Sequence, residues 1–260
     1  WLLLAVAAVI IGIITLANSG RVALLTVVFW VTMVGGFLCA IYYGLKFQEK
    51  RMARLYRFAK SNGLQFVHNK QGPDYAGMIF NEGHTRVVEA AFILPSGVEI
   101  GNYQYVTGSG KNRSTHHWAY VKVGLPRKLP HMVLDAKKNN LFGKLSNLTD
   151  TFDSSQTLTL EGDFNDYFTL YAPKQYERDA LYVFTPDVMA RLIDSGSGFD
   201  MEVIDDELYI YRGNRFNLGS EAELRTLLGI TSVIGTEFGD QTGYYADERV
   251  GDRTQNIIAS

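Results

Sequence analysis

Few residues in this chain have the types to do chemistry, and their spacing decides what each can do. Gly108-Ser109-Gly110-Lys111 offers the glycines and lysine of a phosphate cradle. A strict phosphate loop needs Gly, four residues, Gly-Lys and then Ser or Thr, so that backbone N–H groups and one ammonium surround the phosphates. Here Tyr105 stands where the first Gly belongs, and Asn112 follows the Lys. The segment reads instead as a flexible hairpin tip, with Lys111 and Arg113 as candidate anion contacts. His116-His117 would lie on a strand, where neighbours point to opposite faces and do not share one metal ion. His68, His84 and His131 lack the i, i+4 or Cys-x-x-Cys company of a metal site. Asp205-Asp206-Glu207 and the Asp163/Asp166 pair fall at expected turns, where Asp satisfies local backbone donors. Ser154-Ser155 and Ser195-Gly196-Ser197-Gly198 have no nucleophile-elbow context. The glycines at Gly235 and Gly239 do not follow a strand and open a helix, as a dinucleotide fingerprint requires. The expectation is a non-enzyme with no cofactor and no metal.

The elements that must position these residues begin with two uncharged apolar stretches, 1–17 and 22–45, joined by Asn18-Ser19-Gly20-Arg21. A spanning helix needs about 20 apolar residues, at roughly 1.5 Å each against ~30 Å of hydrocarbon. The pattern predicts a two-helix transmembrane hairpin over 1–45. The chain opens on Trp1 rather than Met, so the short first stretch is expected to continue upstream. A basic helix is predicted over 46–62, carrying Lys46, Lys50, Arg51, Arg54 and Arg57. Lys46, Lys50, Arg54 and Arg57 are spaced to share one helical face, so these cations are candidate contacts to the membrane surface. The charge asymmetry places the connecting turn outside and both chain ends in the cytoplasm. Ala8 with Gly12, and Gly36 with Ala40, are small residues four apart that let helices approach closely. Folding about Ser19-Gly20 puts the two pairs at different depths, so one of them is left to face another protein.

The rest divides into a predicted α+β cytoplasmic domain over 63–235, with a sub-boundary near 150, and a polar tail over 236–260. A formal charge of −2, from 25 basic and 27 acidic residues, speaks against nucleic acid as a partner. The 15 Tyr and 15 Phe fall largely in strand-like alternation and can fill a core. Cys39 is the one cysteine and lies in the second apolar stretch, which excludes an intrachain disulfide or a zinc knot in the soluble part. Strands are predicted over 64–68, 75–81, 85–94, 98–107 and 116–123, followed by a rigid connector at 126–130 and a loosely helical or irregular stretch at 134–148. Beyond them come strands at 157–161 and 180–184, and an aromatic turn or short helix at 164–171. A helix is capped by Thr185-Pro186, and a hairpin forms about Asp205-Asp206. The capping box Ser220-Glu221-Ala222-Glu223 opens a last helix. The stretch after Gly235 is polar and glycine-rich enough to be disordered on its own.

Residues 158–216 carry Leu160-Glu161, Phe164, Phe168 and Tyr171, then Ala180-Leu181-Tyr182, Thr185-Pro186, Met189 and Leu192. Asp206, Leu208-Tyr209-Ile210 and Phe216 complete the pattern. In these positions the chain resembles a bacterial, actinobacterial-like family of membrane proteins with two transmembrane helices and a cytoplasmic domain of unknown function. Gly101-Asn102-Tyr103 and Leu129-Pro130-His131 are similar to actinobacterial relatives. The resemblance covers less than a quarter of the chain; it implies topology and fold, and supplies no catalytic residue. Every matched position also reads as core or cap.

The sequence leads to the expectation of a non-enzymatic, two-pass protein of the bacterial inner membrane. Its partners would be the lipid bilayer and other membrane-protein subunits, as an accessory or assembly subunit of a larger complex. Two alternatives stand beside it. One is a sensor that binds a lipid headgroup or small anion through the 108–115 loop and the Lys137/Lys138 region; the other is a hydrolase of unfamiliar type.

Overall fold

A computed structural model describes residues 10–12, 14, 20–139 and 156–243. The chain falls into two compact units, Trp1–Arg57 and Phe58–Ser260.

Helix α1 covers Gly20–Ser61 without a proline to interrupt it. The predicted boundary between an apolar span and a basic helix is therefore a change of chemistry inside one continuous helix. Val28, Phe29, Trp30, Val31, Met33, Phe37, Leu38 and Ile41 are all exposed, and they lie on every side of the helix. A helix apolar all round that is not buried in its own fold has the surface of a candidate membrane span. The hydroxyl of Thr32 donates to the carbonyls of Val28 and Phe29, one turn back along the helix. At its C-terminus the chain turns on Gly63, whose φ of 66° is left-handed. Leu64 N–H then reaches back to the Ala59 carbonyl at 2.9 Å, closing the orphan carbonyls in the pattern predicted for Asn62-Gly63.

Among the described residues one helix is long and apolar enough to cross a membrane, with a mean hydropathy of 1.8 in its apolar window. It contains the second of the two predicted spans. The predicted first span lies largely outside the described residues; residues 10–12 and 14 are helical.

The second unit is α+β. Its seven-stranded antiparallel sheet runs β1 (Gln65–Gln71), β2 (His84–Ile93), β3 (Glu99–Thr107), β4 (Ser114–Ala136), β6 (Phe168–Tyr171) and β5 (Thr157–Leu158). β7 (Asp200–Gly213) pairs along the other edge of β4. This one sheet draws strands from both sides of residue 150. Among the described residues four helices accompany it: α2 (Phe164–Tyr167), α3 (Glu177–Val183), α4 (Pro186–Gly196) and α5 (Glu221–Gly243).

Several local expectations are corrected. The predicted connector at 126–130 lies inside β4, which is 23 residues long. Pairing runs from Gly124–Glu207 directly to Leu129–Asp205, so four residues of β4 bulge opposite Asp206. Pro126 and Pro130 have no N–H to give the ladder, and a bulge is where a strand tolerates that. Residues 134–136 continue the strand rather than opening a helix; 140–148 lie outside the described residues. The predicted hairpin about Asp205-Asp206 is a kink in the single strand β7, with Asp205 at φ 51°, because β4 offers pairing on both sides of it. The predicted strand at 75–81 contains a 3-10 turn, Met78–Asn81, with Met78, Ile79 and Phe80 buried in succession rather than in alternation. The predicted strand at 180–184 is part of α3, which buries Ala180 and Val183 at helical spacing. Helix α5 passes Gly235 and reaches Gly243, because Ile234 and Phe238 extend the buried stripe of Leu224, Leu227 and Ile230. The Thr185 cap holds, with Val188 N–H donating to its hydroxyl. So does the Ser220 cap on Glu223 N–H, and α5 packs against β4 and α4.

Candidate functional site

One face of the sheet is lined by Tyr103, Tyr105, Trp118, Tyr120, Tyr209 and Tyr211. The turn at 78–81 drives Phe80 into this layer, 4.7 Å from the Tyr103 ring and 5.1 Å from Tyr120. Such ring pairs contribute about 0.5–1.5 kcal/mol each beyond their buried area. Gly77 permits the approach: a Cβ there would lie 2.2 Å from the Tyr211 hydroxyl.

Three glutamates enter this layer. Glu99 accepts from the Tyr75 hydroxyl at 2.8 Å and from the Tyr120 hydroxyl. Glu202, fully buried, accepts from Met78 N–H at 2.8 Å and the Tyr211 hydroxyl at 2.6 Å, and bonds His131 Nε2 at 2.6 Å. Glu207 accepts from Lys122 Nζ at 2.5 Å and from the Tyr209 hydroxyl. Burial first, and then the adjoining carboxylates, push the Tyr75, Tyr120, Tyr209 and Tyr211 hydroxyls well above the usual tyrosine range. They therefore stay protonated and serve as donors. A carboxylate already engaged by two or three internal donors is poorly placed to bind a substrate or shuttle a proton. This cluster fastens the 78–81 turn onto the sheet.

The sequence-predicted residues separate widely. Lys111 and Arg113 are exposed beside the 3-10 turn Gly110–Asn112, in the predicted hairpin tip. Lys137 donates to the Asn165 carbonyl and is half-buried. The 108–115 loop and Lys137 flank opposite ends of β4, whose 23 residues make tens of ångströms at about 3.3 Å each. The two cation sources of the expected sensor are thus not brought together. His116 stacks on Tyr105 and bonds Thr107, while His117 points to the other face near Arg215, as strand alternation predicts. Glu161, Asp163 and Asp194 border a shallow hollow of about 430 Å³ beside α4, with no histidine or cation in its lining. Among the described residues no group of three or more metal-ligating side chains converges.

The basic end of α1 is different. Lys46 is paired with Glu49 at 2.9 Å. Arg51 is half-buried, off the shared face of the other cations. Lys50, Arg54 and Arg57 are exposed and line a groove of about 440 Å³ with Phe47 and Ala53. Arg57 Nε donates back along the helix to the Ala53 carbonyl at 3.3 Å. No carboxylate enters this lining. Of the four small residues expected at helix contacts, Ala8 lies outside the described residues. Gly12 is buried, and a Cβ on it would stand 3.3 Å from Val27 Cγ2. Gly36 has open space around it, and Ala40 is exposed.

No protein-family model matches this chain, and no curated protein does. Among solved structures, the crystal structure of the mycobacterial trehalose monomycolate transport factor A, TtfA, is similar at 10% identity. The match covers 73% of this chain and 93% of that one, with a TM-score of 0.47. A likeness at that level decides neither fold nor function. Within the chain, most positions of the 158–216 pattern are core: Leu160, Phe164, Phe168, Ala180, Leu192, Leu208, Tyr209, Ile210 and Phe216 are buried. Leu181 and Tyr182 are exposed.

Sequence reasoning missed Glu99 and Glu202, the carboxylates that organise the sheet face. A signal was present: Glu99 shares strand parity with Tyr103 and Tyr105, and a glutamate in an aromatic stripe must find donors. It also missed Phe47, the apolar side chain beside these cations, which follows Lys46 directly.

Proposed function

We propose that this protein is a non-enzymatic membrane subunit that anchors its α+β domain at the cytoplasmic face of the bacterial inner membrane and docks on a larger membrane complex. The observation that carries the reading is α1: an apolar surface exposed on all sides, continuing without a break into a basic segment whose Lys50, Arg54 and Arg57 line a groove with no carboxylate. The positive-inside tendency puts those cations in the cytoplasm. A two-pass hairpin is part of the proposal. Gly12 lies seven residues before Ser19 and Val27 seven after Gly20, so their close approach fits two antiparallel helices folded about that turn. The same fold leaves Gly36 and Ala40 free to receive a helix from another subunit, which their open surroundings support. The saturated glutamates speak for a structural role and against the hydrolase alternative.

Crosslinking in native membranes, followed by detergent purification of the full chain, tests this reading. The expected result is a reproducible crosslinked membrane-protein neighbour. A monodisperse, uncrosslinked monomer contradicts it.

A further inference from the structure

We propose that the groove formed by Phe47, Lys50, Ala53, Arg54 and Arg57 is a binding site for the phosphate headgroup of an anionic phospholipid. The inference rests on the membrane reading of α1 and is independent of any docking partner. The groove is open, about 440 Å³ along one face of α1. Its lining on that face sets three cations beside the apolar Phe47 and Ala53, which suits a phosphate joined to an acyl chain.

Its position fits as well. The uncharged run ends at Leu45, and Lys50 lies about 8 Å further along the helix axis, at headgroup depth. Side chains on a helix lean toward its N-terminus, so those of Arg54 and Arg57 reach back toward the bilayer. Arg57 does this, with its Nε on the carbonyl one turn earlier. Its remaining guanidinium donors are free of that bond and can form a fork on a phosphate. Lys46 is excluded because it is paired with Glu49, and Arg51 because it does not line the groove. A lipid is chosen over a free anion because Phe47, in the same lining, stands two residues beyond the end of the uncharged run.

The test uses the full chain in a non-ionic detergent, where membrane orientation plays no part. Binding of phosphatidylglycerol and of phosphatidylcholine is measured by native mass spectrometry. The unaltered chain is expected to prefer phosphatidylglycerol, and millimolar inorganic phosphate should not displace it. The triple variant Lys50→Gln/Arg54→Gln/Arg57→Gln is expected to lose roughly a hundredfold in affinity. Phe47→Ala, which removes no charge, is expected to lose about threefold. The charge-matched variant Lys60→Gln/Lys138→Gln/Lys174→Gln should bind as the unaltered chain does. An equal loss in that control, full binding by Phe47→Ala, displacement by phosphate, or no lipid preference would each overturn the site. Retention in carbonate-washed membranes reports the anchor separately, so failure of the site and failure of the membrane reading give different results.

Discussion

The aromatic face of the sheet and the basic end of α1 both concentrate charged groups, and they treat them in opposite ways. In the sheet, Glu99, Glu202 and Glu207 are closed off by tyrosine hydroxyls, a backbone N–H, His131 and Lys122. On the helix, the groove cations face no carboxylate. Charges satisfied inside the fold specify its shape; charges left open to the outside are available for something else. The distinction rests on partners rather than on residue type, since Lys122 and Lys50 are the same side chain in the two situations.

Alkaline titration should break the sheet cluster most severely. Tyrosine in an unfolded chain ionises near pH 10. The folded hydroxyls of Tyr75, Tyr120, Tyr209 and Tyr211 are raised above that. The unfolded state therefore releases protons first. The stability these groups contribute is fully present below about pH 10 and is lost as pH rises beyond it. Tyrosinate absorbance should appear together with loss of the fold, not before it.

Next in size is Glu202→Ala. It leaves the Tyr211 hydroxyl, Met78 N–H and His131 without their acceptor, at a cost of about 3–5 kcal/mol in denaturant unfolding. Gly77→Ala should cost about 1–3 kcal/mol in the same measurement, since its Cβ would overlap the Tyr211 hydroxyl. Tyr103→Phe sharpens the contrast from the other side. The Tyr103 hydroxyl is buried with no hydrogen-bond partner among the described residues, so its removal should change stability by less than about 1 kcal/mol, in the stabilising direction. Smallest of all, the Lys50→Gln/Arg54→Gln/Arg57→Gln variant should leave the unfolding midpoint unchanged.

What the sequence made legible was whatever depends on neighbours along the chain. The apolar run of α1, the Gly63 stop, the Thr185 and Ser220 caps, strands β2 and β3, and the opposed faces of His116 and His117 follow from local periodicity and capping. What it hid depends on distant partners. β4 was read as ending before Pro126 because two prolines look like a break until β7 and β6 are there to hold the strand beyond the bulge. The 78–81 turn looked like a strand because only the tyrosines across the sheet explain three buried residues in a row. For the candidate site, the cations were visible in the sequence. That Lys46 is paired with Glu49 and that Arg51 does not line the groove was not, since both depend on side-chain placement.

The membrane placement of α1 underlies the whole account, and thiol accessibility in intact cells tests it most directly. Cys39, the one cysteine, lies within the apolar part of the helix. A Lys111→Cys substitution in a Cys39→Ser background puts a single thiol on the exposed loop of the soluble unit. The account predicts that a membrane-impermeant maleimide labels it only after the cells are permeabilised, while Cys39 in the unaltered chain resists labelling throughout. Labelling of the Lys111→Cys thiol in intact cells would contradict it.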